Sequence, residues 1–241
     1  MPGLPPAGAR RVTTARRVRL ADVRPDGRAR LDAVARWCQD VAADDLRTSG
    51  AADAWRWVVR RTLVEVTGRR PVYDEQLEVT TWCSGSGAAW AERRTSIHGD
   101  AGGAVEVAAL WVALDPATMR PSGLDERFDE RYGSATGGRR VRAGLLHRPT
   151  APDGTPTTPW PLRIGDLDVL GHVTNAIAWA LLEDVAATGG VEVVSASAEY
   201  RDQLRDGPLQ VATEVGDGGL AVWAAEPGRP PGLTIEAAGR R

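Results

Sequence analysis

The sequence predicts an α+β protein built from two tandem copies of one unit, each an antiparallel sheet wrapped around one central helix. Three observations carry this. The element order of strand, helix and four further strands occurs twice in 241 residues. The helix that begins near Asn175 is apolar on every side from Ala176 to Leu182, whereas an ordinary amphipathic helix keeps one wet face. Such a segment must be covered all round, and a curled sheet does that. Finally, Arg19–Ala42 aligns on Arg163–Ala186 without a gap, at a constant offset of 144 residues.

The elements follow in order. Met1 to Arg11 is Pro- and Gly-rich, has no apolar core of the secretory kind, and reads as a loose leader. Arg16 to Asp22 alternates charged and apolar residues as a short strand does. From Arg30 to Leu46, Leu31, Val34, Trp37, Cys38 and Val41 recur at helical spacing, and Gly50 closes the helix. Trp55–Thr67, Gln76–Cys83, Ala88–His98 and Ala104–Leu114 read as strands, with Ser84-Gly85-Ser86-Gly87 and Gly99-Asp100-Ala101-Gly102-Gly103 as hairpin turns. Residues 119–159 are rich in Pro, Gly, Thr and charge and read as a linker. The second copy then supplies a strand over Trp160–Asp166, a helix over Asn175–Ala187 stopped by Gly189-Gly190, and strands near Val191–Arg201, Leu209–Val215, Leu220–Ala225 and Leu233–Ala237. The expected division is 12–118, a linker at 119–159, and 160–241.

In the ungapped alignment Arg19/Arg163, Asp22/Asp166, Gly27/Gly171, Asp40/Asp184, Val41/Val185 and Ala42/Ala186 are identical, against roughly two matches expected by chance. Asp168 falls on Arg24 and His172 on Arg28. An acid at that place therefore belongs to the second copy alone.

Composition bounds the function. The chain is 42% hydrophobic and 26% charged, with a net charge of −2, so no global basic field points to nucleic acid. The two cysteines, Cys38 and Cys83, are too few for a disulfide framework and lack zinc-site spacing. They read as small buried hydrophobes in a reducing compartment. No run approaches the ~20 apolar residues of a membrane span. A cytoplasmic location is expected, and the residues call for no metal and no cofactor.

Asp168 and His172 are the candidate reactive groups. A carboxylate at a strand end, partly shielded by an apolar helix, acts as a base toward water or as a nucleophile toward an acyl carbon. A His four residues on orients the water or carbonyl, or shuttles a proton. Backbone N–H groups at the helix start, from Gly171 and Val173 toward Asn175, are placed to hold a developing oxyanion, with Thr174 or Asn175 as the cap. The bland alternative for Asp168 is a turn-forming role. His98 and His147 are assigned to structure. No Gly-x-Ser-x-Gly nucleophile turn, phosphate-cradling loop or His-Glu-x-x-His motif occurs.

Asp166-Leu167-Asp168-Val169-Leu170-Gly171-His172-Val173-Thr174-Asn175, followed by an aromatic and Glu183, resembles the signature of hotdog-fold thioesterases. Trp55-Arg56-Trp57-Val58-Val59-Arg60-Arg61, Thr81-Trp82-Cys83-Ser84-Gly85, and Trp111-Val112-Ala113-Leu114-Asp115 with Arg120-Pro121 resemble the N-terminal hotdog of acyl–acyl carrier protein thioesterases. The resemblance spans about Val18 to Ala237. It implies a double hotdog, hydrolysis of a fatty acyl thioester, and an acyl chain lying in one unit's cavity. Plant members use an Asp, an Asn two residues later, a His two further on, and a distal Glu. Asp168 and His172 match. Leu170 stands at the Asn position, as apolar residues do in single-domain hotdog acyl-CoA thioesterases that rely on the Asp. The distal Glu falls on Gln203, which can position a water but cannot take its proton.

The reading is a thioesterase acting on acyl carrier protein in fatty acid metabolism, with catalytic residues Asp168, His172 and Gln203 and substrate-binding Gly171, Val173 and Asn175. Arg69-Arg70 and Arg139-Arg140-Arg142 are candidates to meet an acidic carrier helix. The alternatives are an acyl-CoA hydrolase on the same fold and an acyl-binding protein that has lost chemistry. The tandem copies imply a pseudo-dimeric monomer or a homodimer.

Overall fold

The computed structural model describes residues 4–50, 56–205, 207–216 and 219–240. Trp55 of the second expected strand lies outside them. The elements are β1 (Val12–Arg17), α1 (Leu31–Ser49), β2 (Arg56–Val66), β3 (Gln76–Ser86), β4 (Trp90–Gly99), β5 (Ala104–Leu114), α2 (Glu126–Thr136), β6 (Thr157–Trp160), α3 (Ile177–Thr188), β7 (Glu192–Tyr200), β8 (Leu209–Gly216), β9 (Gly219–Ala225) and β10 (Leu233–Arg240). The first compact unit takes in the chain up to Ala29, then Arg36–Thr62 and Val66–Gly144. The second takes in Arg30–Ala35, Leu63–Glu65 and the chain from Leu145 on.

The strands run in the order β1-β3-β4-β5-β2 in the first half and β6-β8-β9-β10-β7 in the second, the same antiparallel topology twice. This is the double hotdog. The core of the first unit gathers Trp37 and Val41 of α1 with Leu77, Val79, Ile97 and Val105 of the sheet, all nearly inaccessible to solvent. In the second, α3 buries Ile177, Ala178, Trp179, Leu181, Leu182 and Glu183, as a helix without a polar face must.

The duplication extends to single hydrogen bonds. Short 3-10 turns at Leu20–Asp22 and Ile164–Asp166 each open with the Asp side chain accepting from the backbone N–H of the preceding Arg, at 2.8 Å for Asp22 and 2.7 Å for Asp166. Bridges then pair Val23 with Ala29 and Leu167 with Val173.

Several elements differ from the expected ones. The strand read at Arg16–Asp22 ends at Arg17, because Arg19 to Asp22 closes the 3-10 turn. In the second copy the strand lies earlier, at Thr157–Trp160, since Pro161 supplies no N–H to extend it. Pro159 is tolerated there because β6 ends the strand order. Ser84-Gly85-Ser86 is not a turn but the end of β3, bulged between Cys83 and Gly85. Ser86 N–H donates to Arg139 C=O at 3.1 Å and Ser86 C=O accepts from Val141 N–H at 3.1 Å. A Cβ on Gly85 would meet Val141 Cγ1 at 2.8 Å, so only glycine fits. His98 lies near the end of β4, hydrogen-bonded to Ser96 at 2.9 Å.

Residues 119–159, read as a linker, contain α2. Asp125 caps it by accepting from Phe128 N–H, and Gly137 at φ 56° ends it. Its buried Phe128 and Tyr132 join Cys83, Ala91 and Ala113 in one apolar cluster of the first unit. Further on, His147 is buried within the second unit, with Nε2 2.6 Å from Ser197 Oγ and Nδ1 3.2 Å from Thr234 Oγ1.

Candidate active site

The turn carrying Asp168 is shaped by its backbone. Asp168 N–H donates to His172 C=O at 2.7 Å and Gly171 N–H to Asp168 C=O at 3.0 Å. Gly171 holds φ at 74°, a left-handed value that favours glycine. The first copy repeats this: Arg24 N–H donates to Arg28 C=O at 2.9 Å, Gly27 N–H to Arg24 C=O at 2.9 Å, and Gly27 sits at φ 79°. The turn therefore forms with or without an acid at its first position.

Asp168 is exposed, and its Oδ1 accepts from the N–H groups of Leu170 at 2.8 Å and His172 at 2.9 Å. That is the turn-forming role, and it uses one oxygen. Among the described residues Oδ2 meets no donor, and the His172 imidazole makes no hydrogen bond. Leu170 and Val169 project into solvent.

Gln203 lies on the segment after β7. Val173 N–H donates to Leu204 C=O at 2.8 Å, which seats that segment beside the turn. The Gln203 Oε1 accepts from Arg205 Nη2 at 2.9 Å. Asp168 and His172 thus share one turn, and Gln203 is on the neighbouring strand of backbone.

The expected oxyanion donors are corrected by the hydrogen-bond pattern. Gly171, His172 and Val173 already donate as described, and Thr174 N–H donates to Asp166 C=O at 2.8 Å. Their amides are spent within the fold. The residue at the head of α3 is Ala176, with no side-chain cap, so neither Thr174 nor Asn175 caps it. The amides of Asn175 and Ala176 have no acceptor among the described residues, as the orphan donors of a helix N-terminus do not. The Asn175 carbonyl accepts from Tyr200 Oη at 3.0 Å, which fixes the entry to the helix. Glu183, whose place in the motif left its role unassigned, is buried, and its Oε2 accepts from Leu31 N–H at the first turn of α1 at 2.9 Å.

The first unit holds a cavity of about 300 Å³. Its apolar wall includes Leu46, Trp57, Cys83, Ala91 and Phe128, and Trp111 and Tyr132 also line it. Burial pushes the Cys83 thiol up to about 11, so it is no thiolate nucleophile near neutrality. Of the charged lining residues Arg56 is exposed, and Arg93 and Glu92 are engaged. Arg93 Nη2 donates to Asp45 Oδ2 at 2.7 Å, and Arg10 Nε donates to Asp45 Oδ1 at 2.8 Å. Glu92 accepts from Arg139 Nη1 and Ser84 Oγ, at 2.7 and 2.8 Å. None of the expected site residues lines this cavity. The cavity is not legible in the sequence, because α2, which supplies Phe128 and Tyr132 to its wall, falls in the stretch that reads as linker. The signal for the helix itself is present: Phe128, Tyr132 and Ala135 recur at helical spacing between a capping Asp125 and Gly137.

Two of the arginine runs are less available than expected. Arg70 is buried, Arg69 donates to Ala101 C=O at 2.7 Å, and Arg139 is bound to Glu92. Arg140 and Arg142 stay exposed. Among the described residues no group of three or more His, Cys, Asp or Glu is placed to hold a metal ion, and no helix is long and apolar enough to cross a membrane.

A family model described as the acyl-ACP thioesterase N-terminal domain matches residues 11–132. An uncharacterized protein of Mycobacterium tuberculosis, recorded in strains CDC 1551 and H37Rv, is 32% identical over 214 residues, covering 85% of this chain and 83% of the relative. Among solved structures, a putative oleoyl thioesterase from Lactobacillus plantarum superposes with a TM-score of 0.78 at 21% identity, covering 97% of both chains. The 12:0-ACP thioesterase of Umbellularia californica gives a TM-score of 0.76 at 24% identity, over 95% of this chain and 97% of that one. The match to the N-terminal domain, together with a fold shared over nearly every residue, makes this chain a member of the acyl-ACP thioesterase family and a hydrolase of thioesters.

Proposed function

We propose that this thioesterase releases a fatty acid from acyl carrier protein, with Asp168 as its base. The observation that supports this is the duplicated turn. Its backbone is kept in both copies, the acid stands only in the second, and that acid keeps Oδ2 uncommitted while Oδ1 is fixed. In this reading Oδ2 takes a proton from water as the water attacks the thioester carbonyl. The Asn175 and Ala176 amides, at the positive end of α3, hold the oxyanion. Collapse of the tetrahedral species breaks the C–S bond, and the leaving sulfur takes up the proton held by Asp168, with His172 as shuttle. Gln203, its Oε1 held by Arg205, keeps its amide N–H groups for positioning the water. Trapping with hydroxylamine distinguishes this from direct attack by Asp168, which passes through an acyl-aspartyl anhydride.

Arg140 and Arg142 supply exposed positive charge for an acidic carrier. The test is a side-by-side assay of the same acyl groups on carrier protein and on coenzyme A. Faster turnover on the carrier, with Arg140→Glu and Arg142→Glu raising KM for that form alone, is expected. Equal or better turnover of the coenzyme A form overturns the carrier reading.

A further inference from the structure

The turn that carries Asp168 is apolar where its counterpart is not. Val169 and Leu170 are 101% and 72% exposed. At the constant offset of 144 they fall on Pro25 and Asp26 of the first copy. Leu170 is tied to the acid itself. Its N–H donates to Asp168 Oδ1 at 2.8 Å, so its Cα, one N–Cα bond of ~1.46 Å further on, lies within about 4.3 Å of that oxygen. Two aliphatic side chains therefore stand in water beside the carboxylate assigned as base, and only in the copy that has it.

Hydration and amide hydrogen bonds favour the ionised form of a carboxylate and weaken it as a base, whereas loss of water strengthens it. The charged groups of this turn are Asp166, which accepts from Arg163 N–H, and His172. Those of the segment seated beside it are Asp202, which accepts from Gln203 N–H, and Arg205, which donates to Gln203 Oε1. None of them pairs with Asp168 among the described residues, whose partners are the two amides. Hydration is then what binding can change. The thioester must lie over Asp168 to react there, and it brings methylene groups on both sides of its sulfur and carbonyl, whichever carrier holds it. We propose that Val169 and Leu170 receive those methylene groups, so that Asp168 leaves water only when substrate is bound. This rests on Asp168 being the base and is independent of the carrier.

The test is the pH dependence of kcat and of kcat/KM for one saturated acyl group, assayed on carrier protein and on coenzyme A. Wild type is compared with the double variant Val169→Thr/Leu170→Gln and with Leu170→Met. Activity needs the ionised acid and falls as pH falls; desolvation disfavours the ion and moves that fall to higher pH. The profile of kcat reports the complex and that of kcat/KM the free enzyme. In wild type the acid limb of kcat is expected to lie about one pH unit or more above that of kcat/KM. In the double variant the two limbs are expected to converge and KM to rise roughly fourfold or more, the scale of one buried methylene. Leu170→Met, which stays apolar, is expected to behave as wild type. Coincident limbs in wild type overturn the proposal, as does a double variant that keeps both the gap and KM, or a Leu170→Met that behaves as the double variant does. If Asp168→Asn retains turnover with the wild-type acid limb, the assignment of the base falls as well. If it abolishes turnover while the wild-type limbs coincide, the base stands and only the role of Val169 and Leu170 is lost.

Discussion

Arg24 and Asp168 hold the same place in the two copies, each donating its amide to the carbonyl four residues on, at 2.9 Å to Arg28 and 2.7 Å to His172. The loop geometry is thereby separated from the identity of the side chain at its head.

Asp168→Asn keeps an oxygen able to accept from Leu170 and His172, so the fold is expected to survive with an unchanged melting temperature. Turnover is expected to fall roughly 10²–10⁴-fold, the range for loss of a general base. Steady-state kinetics beside a thermal melt check this, and unchanged turnover removes Asp168 from the chemistry.

Gly171→Ala places a Cβ in open space but on a residue at φ 74°. The strain alone is expected to cost about 1–2 kcal/mol and to lower turnover by disturbing the Asp168 amide bonds. Chemical denaturation and kcat measured on the same preparation report the two effects.

Asp45 is buried between Arg10 and Arg93. Asp45→Ala leaves both guanidinium groups without it, and a loss of about 3 kcal/mol is expected. Urea unfolding measures it.

Burial opposes ionisation of Glu92, but hydrogen bonds from Arg139 and Ser84 and the charges of Arg139 and Arg94 outweigh it, holding the carboxyl below its usual 4.5. A depressed folded value means the stabilisation is complete above the unfolded value and is lost as pH falls through the folded one. Stability is therefore expected to decline below about pH 4.5. Melts of wild type and Glu92→Gln should converge in acid; a constant gap between them would dismiss the linkage.

The elements whose packing is written in local periodicity were legible: α3, apolar on all sides, and β5, whose Ala104–Leu114 alternation matches the strand observed. So were the double hotdog and the turn repeat, because an offset of 144 carries backbone geometry along with residue identity. What was hidden depended on partners far away in sequence. Ser84 to Ser86 looks like a turn until Arg139 and Val141 supply a pairing edge. The amides of Val173 and Thr174 look available until Leu204 and Asp166 claim them. The cavity stayed out of sight because α2 is short, polar over much of its surface, and broken by Gly133.

The recurrence of one loop under two different headgroups has a consequence for experiment and for descent. In the Arg24 copy the acceptor sits two residues on, where Asp26 Oδ1 takes the Arg28 amide at 3.0 Å. Replacements at residue 168 therefore separate lost chemistry from lost architecture only where they keep an acceptor for the His172 amide, as Asn does. Descent has a parallel latitude, for the bracing side chain stands at different places in the two halves while the backbone path is the same.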